Sequence, residues 1–248
     1  MAILIIKFLF FVGFFLGGFL LVHKFFHHSK LEIHNEVAGF IYAVVGVIYA
    51  VLLAFVVITV WEQYTEAEKN VNTEASHVVD IYRNAEAFPD SIRDKIQTET
   101  INYMNDIINY EWKSMKNLEI SSEAKKSYKS LWKTIIEYIP VTTYENMWYA
   151  ETIKELNQLA DARRFRINSI YFDIPSLMWF ILFIGAFITI GFSYIFGTKN
   201  NIAHIIMIIC LSSSIGLILI LIDALVHPFS GFIQLTPEAF IYALSQLK

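Results

Sequence analysis

Residues 37–60 read VAGFIYAVVGVIYAVLLAFVVITV, and residues 61–64 continue WEQY. The first 24 of these carry no Asp, Glu, Lys or Arg. About 20 apolar residues in a helix cross a hydrocarbon core, so this run predicts a membrane span. Nothing in WEQY or the residues beyond it breaks a helix until Phe88, Pro89 and Asp90, so the span is expected to continue well past the bilayer.

Three further runs have the same character. Residues 2–22 are interrupted only by Lys7, close enough to the end to snorkel, while 174–198 and 200–222 carry no Asp, Glu, Lys or Arg. A chain of 248 residues that is 56% hydrophobic, with a mean hydropathy of +0.49, is therefore read as an all-α integral membrane protein with four transmembrane helices. A cleaved signal peptide is the other reading of residues 2–22. Its front end has one lysine and no small-x-small site stands before His23, which favours retention as a span. Cys210 lies alone inside the fourth run, so no intramolecular disulfide forms and it reads as a small apolar residue.

Composition changes sharply between residues 61 and 173. This stretch holds 14 Lys and Arg against 19 Asp and Glu, a net of −5, and no glycine. It reads as a helical domain inserted between the second and third spans. A helix is expected from Asp90 or Ser91 toward Met115, another from Ser121 and Ser122 to near Pro140, and a long one from Thr142 or Thr143 through Tyr171. A short last helix is expected at Thr236, Pro237 and Glu238. The domains are thus 1–60 (two spans), 61–173 (helical insertion) and 174–248 (two spans and a short C-terminal helix). With four spans, both termini share a side with the insertion. Lys69, Arg163, Arg164 and Arg166 on that side outweigh Lys24, Lys30 and Lys199 opposite, which places the insertion in the cytoplasm.

No phosphate loop, G-x-S-x-G, H-E-x-x-H or water-accessible cysteine nucleophile is present, and no cofactor is expected. A net charge of −4 offers no footprint for nucleic acid. His27, His28, Glu32 and His34 crowd the first connector, but their spacing matches no metal site and they read as interfacial side chains. Glu62, Glu66 and Glu68 have no turn with backbone carbonyls to support calcium, and read as a solvated helix face. Asp223 follows a run of aliphatic residues in the fourth span. It either pairs at the interface with His227, Arg164 or Arg166, or lies on an ion pathway.

Gly39, Ala43, Gly46, Ala50 and Ala54 recur at helical spacing and form one narrow stripe on the second span, with Val47 and Val51 on one edge and Tyr42 and Tyr49 on the other. Two roles fit such a stripe. Small residues let membrane helices pack closely, and small residues also line an axis that large side chains would plug.

The span's ending, Trp61, Glu62, Gln63 and Tyr64, resembles the W-N-Q-Y that ends the pore-lining second helix of bestrophins. The order of elements is similar too: two spans, a cytoplasmic helical insertion, two more spans. The likeness to a group of bacterial bestrophin-like membrane proteins extends through Gly46 to Tyr64, Glu74 and Ala75, Glu111 and Trp112, the Arg164 and Arg166 region, Asp223, Pro228 and Phe229, and Gly231. This resemblance implies a homopentameric channel in a bacterial inner membrane, with the second helices around its axis. Counting back ten from Trp61 as in bestrophins assigns the neck to Val51, Val47 and Ala43. Bestrophins carry larger, mostly aromatic side chains there, and the calcium-sensing loop of animal bestrophins has no counterpart.

The sequence thus points to a homo-oligomer in a lipid bilayer that conducts small monovalent ions passively. Its pore would be lined by Gly39, Ala43, Gly46, Val47, Ala50, Val51 and Ala54, and the acidic insertion would favour cations. A membrane-anchored scaffold whose cytoplasmic helices bind a partner is the alternative; an embedded enzyme using His27, His28 or Asp223 is a further one.

Overall fold

A computed structural model of the chain describes residues 2–25, 35–198 and 200–247. Helix α1 spans Ala2–Phe25, α2 Asn35–Asn84, α3 Asp90–Asp106, α4 Ser122–Ile136, α5 Thr143–Asn168, α6 Ser176–Ser193, α7 Asn201–Leu225 and α8 Glu238–Gln246. No strand occurs among the described residues. α1, the first part of α2, α6 and α7 are long and apolar enough to cross a membrane, as expected. The protein is an all-helical, four-span membrane protein with a helical insertion between the second and third spans.

The chain divides into two compact units: Met1–Trp61 with Asp173–Val226, and Glu62–Phe172 with His227–Lys248. The stretch from His227 onward therefore joins the inserted unit, whereas the sequence reading grouped it with the last two spans. Its aromatic residues explain why: Phe229 and Phe240 pack on Trp112, whose indole N–H donates to the Leu235 carbonyl at 3.0 Å.

In the spanning unit only thin seams are buried, such as Phe15 and Phe19, Tyr49 and Leu53, Leu182 and Ala186, and Ile208 and Ser212. Apolar contact alone drives little association in lipid, so polar bonds between spans carry weight. Tyr194 donates to the Phe15 carbonyl at 2.6 Å. Tyr49 donates to the Leu182 carbonyl at 2.9 Å. Asn35 exchanges two bonds with the backbone of Gly197. Close approach then matters where Tyr49 lies flat on α6, because a Cβ on Gly185 would fall 2.4 Å from the Tyr49 ring.

The inserted unit follows ordinary globular rules. Ala67, Val71, Ala75, Val78 and Ile81 face its core from the second half of α2. On α5, Thr152, Glu155, Leu156, Leu159, Ala162, Arg163 and Arg166 form one buried stripe. Thr142 caps α5 by accepting from the Glu145 amide at 3.1 Å, while the Glu145 carboxylate accepts from the Val141 amide at 2.9 Å. Ser121 caps α4 in the same way, by accepting from the Ala124 amide. α3 departs from expectation: Pro89, not Asp90 or Ser91, precedes it, and it passes into a π-helical turn at Ile107–Glu111. The wider turn inserts one residue, and Glu111 and Trp112 both end up buried.

Gly185→Ala should overpack the Tyr49 contact and cost about 1–3 kcal/mol. A thermal melt of the detergent-purified protein checks this, with Gly13→Ala as a control, since a Cβ there meets nothing within 4 Å. Equal melting of the two variants would contradict the packing described.

Candidate functional site

The residues predicted to line a pore lie along one side of α2. Ala43, Val47, Ala50, Val51 and Ala54 are exposed in the subunit, Val47 by 63% and Val51 by 48%. Gly39 and Gly46 are half-buried, and a Cβ on either would meet nothing within 4 Å. Among the described residues, then, no helix closes over this stripe. Ala43, Gly46, Val47, Ala50 and Ala54 line an apolar groove of about 800 Å³ that is also lined by Leu211, Ile215 and Ile218 of α7. The two edges of the stripe differ. The tyrosine edge is engaged, with Tyr49 buried on α6 and Tyr42 stacked on Phe192. The valine edge is open.

At the end of the span Trp61 is 54% exposed, Glu62 and Gln63 are exposed, and Tyr64 packs on the core of the inserted unit. Glu62, Glu66 and Glu68 stay exposed, with Glu66 3.7 Å from Lys69, as a solvated face requires. His27, His28, Glu32 and His34 lie outside the described residues.

Asp223 is bound by a group that the sequence reading had treated only as a snorkelling residue. Lys7 Nζ donates to its carboxylate at 2.7 Å, joining α7 to α1, with both side chains about half exposed. His227 belongs to the other compact unit. The ion pair explains how a carboxylate is held at the end of an aliphatic run.

The densest constellation lies in the inserted unit. Arg166 donates to both oxygens of Glu74, at 2.5 and 3.0 Å, and to Glu111 at 2.8 Å. Arg163 grips Glu111 with two bonds of 2.8 and 2.7 Å. Tyr103 donates to Glu74 at 2.5 Å and accepts from Arg163 at 3.0 Å. All five side chains are buried. Burial pushes the Glu111 carboxyl upward, yet Arg166 and Arg163 outweigh it and hold the group below the usual carboxylate range. Burial also raises the Tyr103 phenol, with Glu74 adding to it, so Tyr103 stays a neutral donor. The two guanidiniums stay charged: burial lowers both, but Glu74 and Glu111 raise Arg166 more, and Tyr103 and Glu111 raise Arg163 more. Their flat faces rest on rings, Arg166 5.7 Å from the Trp112 centroid and Arg163 5.2 Å from that of Tyr128.

Sequence reasoning singled out Glu74 and Glu111 without a role, and offered Arg164 and Arg166 as partners of Asp223; Arg166 instead binds Glu74 and Glu111. Arg164 in fact points outward to Asp161, and Arg163 takes the buried place. The available signal was the three-residue spacing of Arg163 and Arg166 in line with Leu156, Leu159 and Ala162.

Helical spans, a helical insertion and an ion-paired core define a class of four-span membrane protein. The chain belongs to the Bestrophin-like family, whose domain matches residues 9–240. No curated protein matches it in sequence. Its fold is similar to that of two mutant forms of a bacterial bestrophin homologue from Klebsiella pneumoniae, 13% and 12% identical. These cover 95% and 97% of this chain and 97% of each solved chain, with TM-scores of 0.69 and 0.73. A mutant of a solved membrane protein, 12% identical, covers 100% of this chain and 97% of its own, with a TM-score of 0.71.

Arg166→Met leaves two buried carboxylates sharing one arginine and should cost about 3–5 kcal/mol. Acid should act on the same group. A folded carboxyl held below the unfolded value of about 4.3 contributes fully above that pH, and its contribution fades as pH falls through the folded value. Melting temperatures of the purified protein from pH 7 to pH 3 should therefore drop on the acid side. Glu111→Gln should start lower and drop less. An unchanged melt for Arg166→Met at pH 7 would contradict this role for the network.

Proposed function

We propose that the protein is an oligomeric channel, a pentamer in keeping with its family, that passes small monovalent ions through a pore lined by α2. The observation that carries this reading is the exposure of Val51, Val47 and Ala43 in a single subunit. These are the three positions the family's spacing assigns to a neck, and among the described residues of their own chain they stay exposed. Gathered around a shared axis, they form an apolar constriction that ions cross hydrated and that closes by dewetting. Gly39, Gly46, Ala50 and Ala54 then flank the constriction and let neighbouring helices approach closely. The Lys7–Asp223 pair serves as a structural clamp between α1 and α7. The inserted unit lies in the cytoplasm with both termini, in a bacterial inner membrane. Residues 61–173, with a net sequence charge of −5, enrich cations at the mouth and give a lean toward cation passage.

The test is passive flux. Purified protein in liposomes should pass Na⁺, K⁺ or Cl⁻ down a gradient with no nucleotide or proton gradient. Val51→Ser should wet the neck and raise flux severalfold, with oligomer size unchanged on size-exclusion chromatography. Absence of flux for all three ions at high protein density, in both wild type and Val51→Ser, would leave the partner-binding scaffold as the better account.

A further inference from the structure

His77 and Asp80 stand one turn apart on α2, and Glu155 comes toward them from the buried stripe of α5. His77 Nδ1 lies 2.7 Å from a Glu155 carboxylate oxygen. One donor atom from each of the three residues lies within 4.8 Å of the others. Atoms bound to one ion by bonds of about 2.1 Å stand roughly 3–4.2 Å apart, so the three sit at nearly the separation that one ion imposes. Two helices supply the set, with a pair at i and i+3 on one and a single donor on the other, as in metal sites between helices.

Charge points the same way. The neighbouring Glu74, Glu111, Arg163 and Arg166 neutralise one another. At His77, by contrast, two carboxylates converge on one imidazole. Glu155 is buried, and Asp80, half-buried, has no hydrogen-bond or ion-pair partner among the described residues. Lys154, next in the chain to Glu155, is taken by Glu151 at 2.8 Å. Arg83 borders the same cavity as Asp80 but forms no ion pair with either carboxylate among the described residues. That cavity, about 440 Å³ and lined by Asn72, Ser76 and Tyr242 as well, opens beside Asp80.

We propose that His77, Asp80 and Glu155 bind a divalent first-row transition-metal ion and thereby pin α2 to α5 within the inserted unit. The donor set decides the class of ion. An imidazole nitrogen with two carboxylates suits Zn²⁺, Mn²⁺ or Fe²⁺, whereas Mg²⁺ and Ca²⁺ are held by oxygen ligands. Histidine also fixes the position more tightly than a cluster of surface carboxylates would. A plain His77–Glu155 hydrogen bond between two helices would leave Asp80 without a task, and Asp80 is therefore the residue that separates the two accounts.

The experiment uses the full chain without a polyhistidine tag, freed of metal with a chelator and titrated with Zn²⁺ by calorimetry. One Zn²⁺ per subunit should bind at low micromolar concentration or tighter and raise the melting temperature. Asp80→Asn should weaken that binding about tenfold or more while leaving the metal-free melting temperature unchanged, because its carboxylate has no bond to lose. Glu155→Gln and His77→Ala should abolish binding and also lower the metal-free melt. Mg²⁺ and Ca²⁺ at the same concentrations should neither bind nor shift the melt. Saturable Zn²⁺ binding that persists in Asp80→Asn and is lost when His27 and His28 become alanine would overturn the assignment by moving the ion to the first connector. Complete absence of saturable Zn²⁺ binding, or preferential binding of Ca²⁺, would overturn it as well.

Discussion

Arg166 is among the largest fully buried side chains of the described residues, and a guanidinium sealed from water is tolerable only with anions at its donors. That requirement shapes the inserted unit. Glu74 must come from α2, Glu111 from the π-helical turn after α3, and the arginine itself from α5, so three chain segments meet at one point. Glu111 would then carry more charge than Arg166 can cancel, and Arg163, one turn earlier on α5, completes a balanced set. Tyr103 closes the remaining lone pair and proton. Removing one member leaves the others buried and uncompensated, so the arrangement specifies one packing more sharply than an apolar core of the same volume.

The spanning unit solves the opposite problem. Its backbone satisfies itself within helices, and lipid asks for no further burial. Hence large apolar side chains such as Phe40, Val44, Ile48 and Phe55 remain exposed along α2. What must be specified is where helices meet, and single polar bonds do this: Tyr49 to Leu182, Tyr194 to Phe15, Asn35 to Gly197, Lys7 to Asp223. The tyrosine edge of the small-residue stripe is used up in this way. Its valine edge is left over, and that leftover face is what the channel reading employs.

Much of this was legible in the sequence because the physics is local. Runs without charge gave the four spans, a break at Pro89 gave the end of α2, and Thr142 and Ser121 marked helix starts through their capping chemistry. The long-range pairings were not legible. Nothing in the spacing of Lys7 and Asp223 announces that they meet across 216 residues. Asp223 therefore drew nearby or resembling partners instead. The π-helical turn at Ile107–Glu111 has no composition signal, and so the burial of Glu111 was invisible even though the residue itself stood out. Arg163 was hidden behind Arg164 because only a helix drawn at 3.6 residues per turn separates their faces. His77, Asp80 and Glu155 were likewise scattered until α2 and α5 were placed side by side.

In this reading one particular face of α2, that of 43, 47 and 51, borders a water-filled path. Single cysteines in a Cys210→Ser background, placed in turn at 43, 47 and 51 and then at 41, 45 and 52, probe that face against the other side of the helix. Flux through liposomes is measured before and after a charged, water-soluble thiol reagent. Modification should alter flux at 43, 47 and 51 and leave 41, 45 and 52 unaffected, since at 3.6 residues per turn these three lie across the helix from the first set. Modification that acts at 41, 45 and 52 while sparing 43, 47 and 51 would overturn the assignment and turn the helix about its axis.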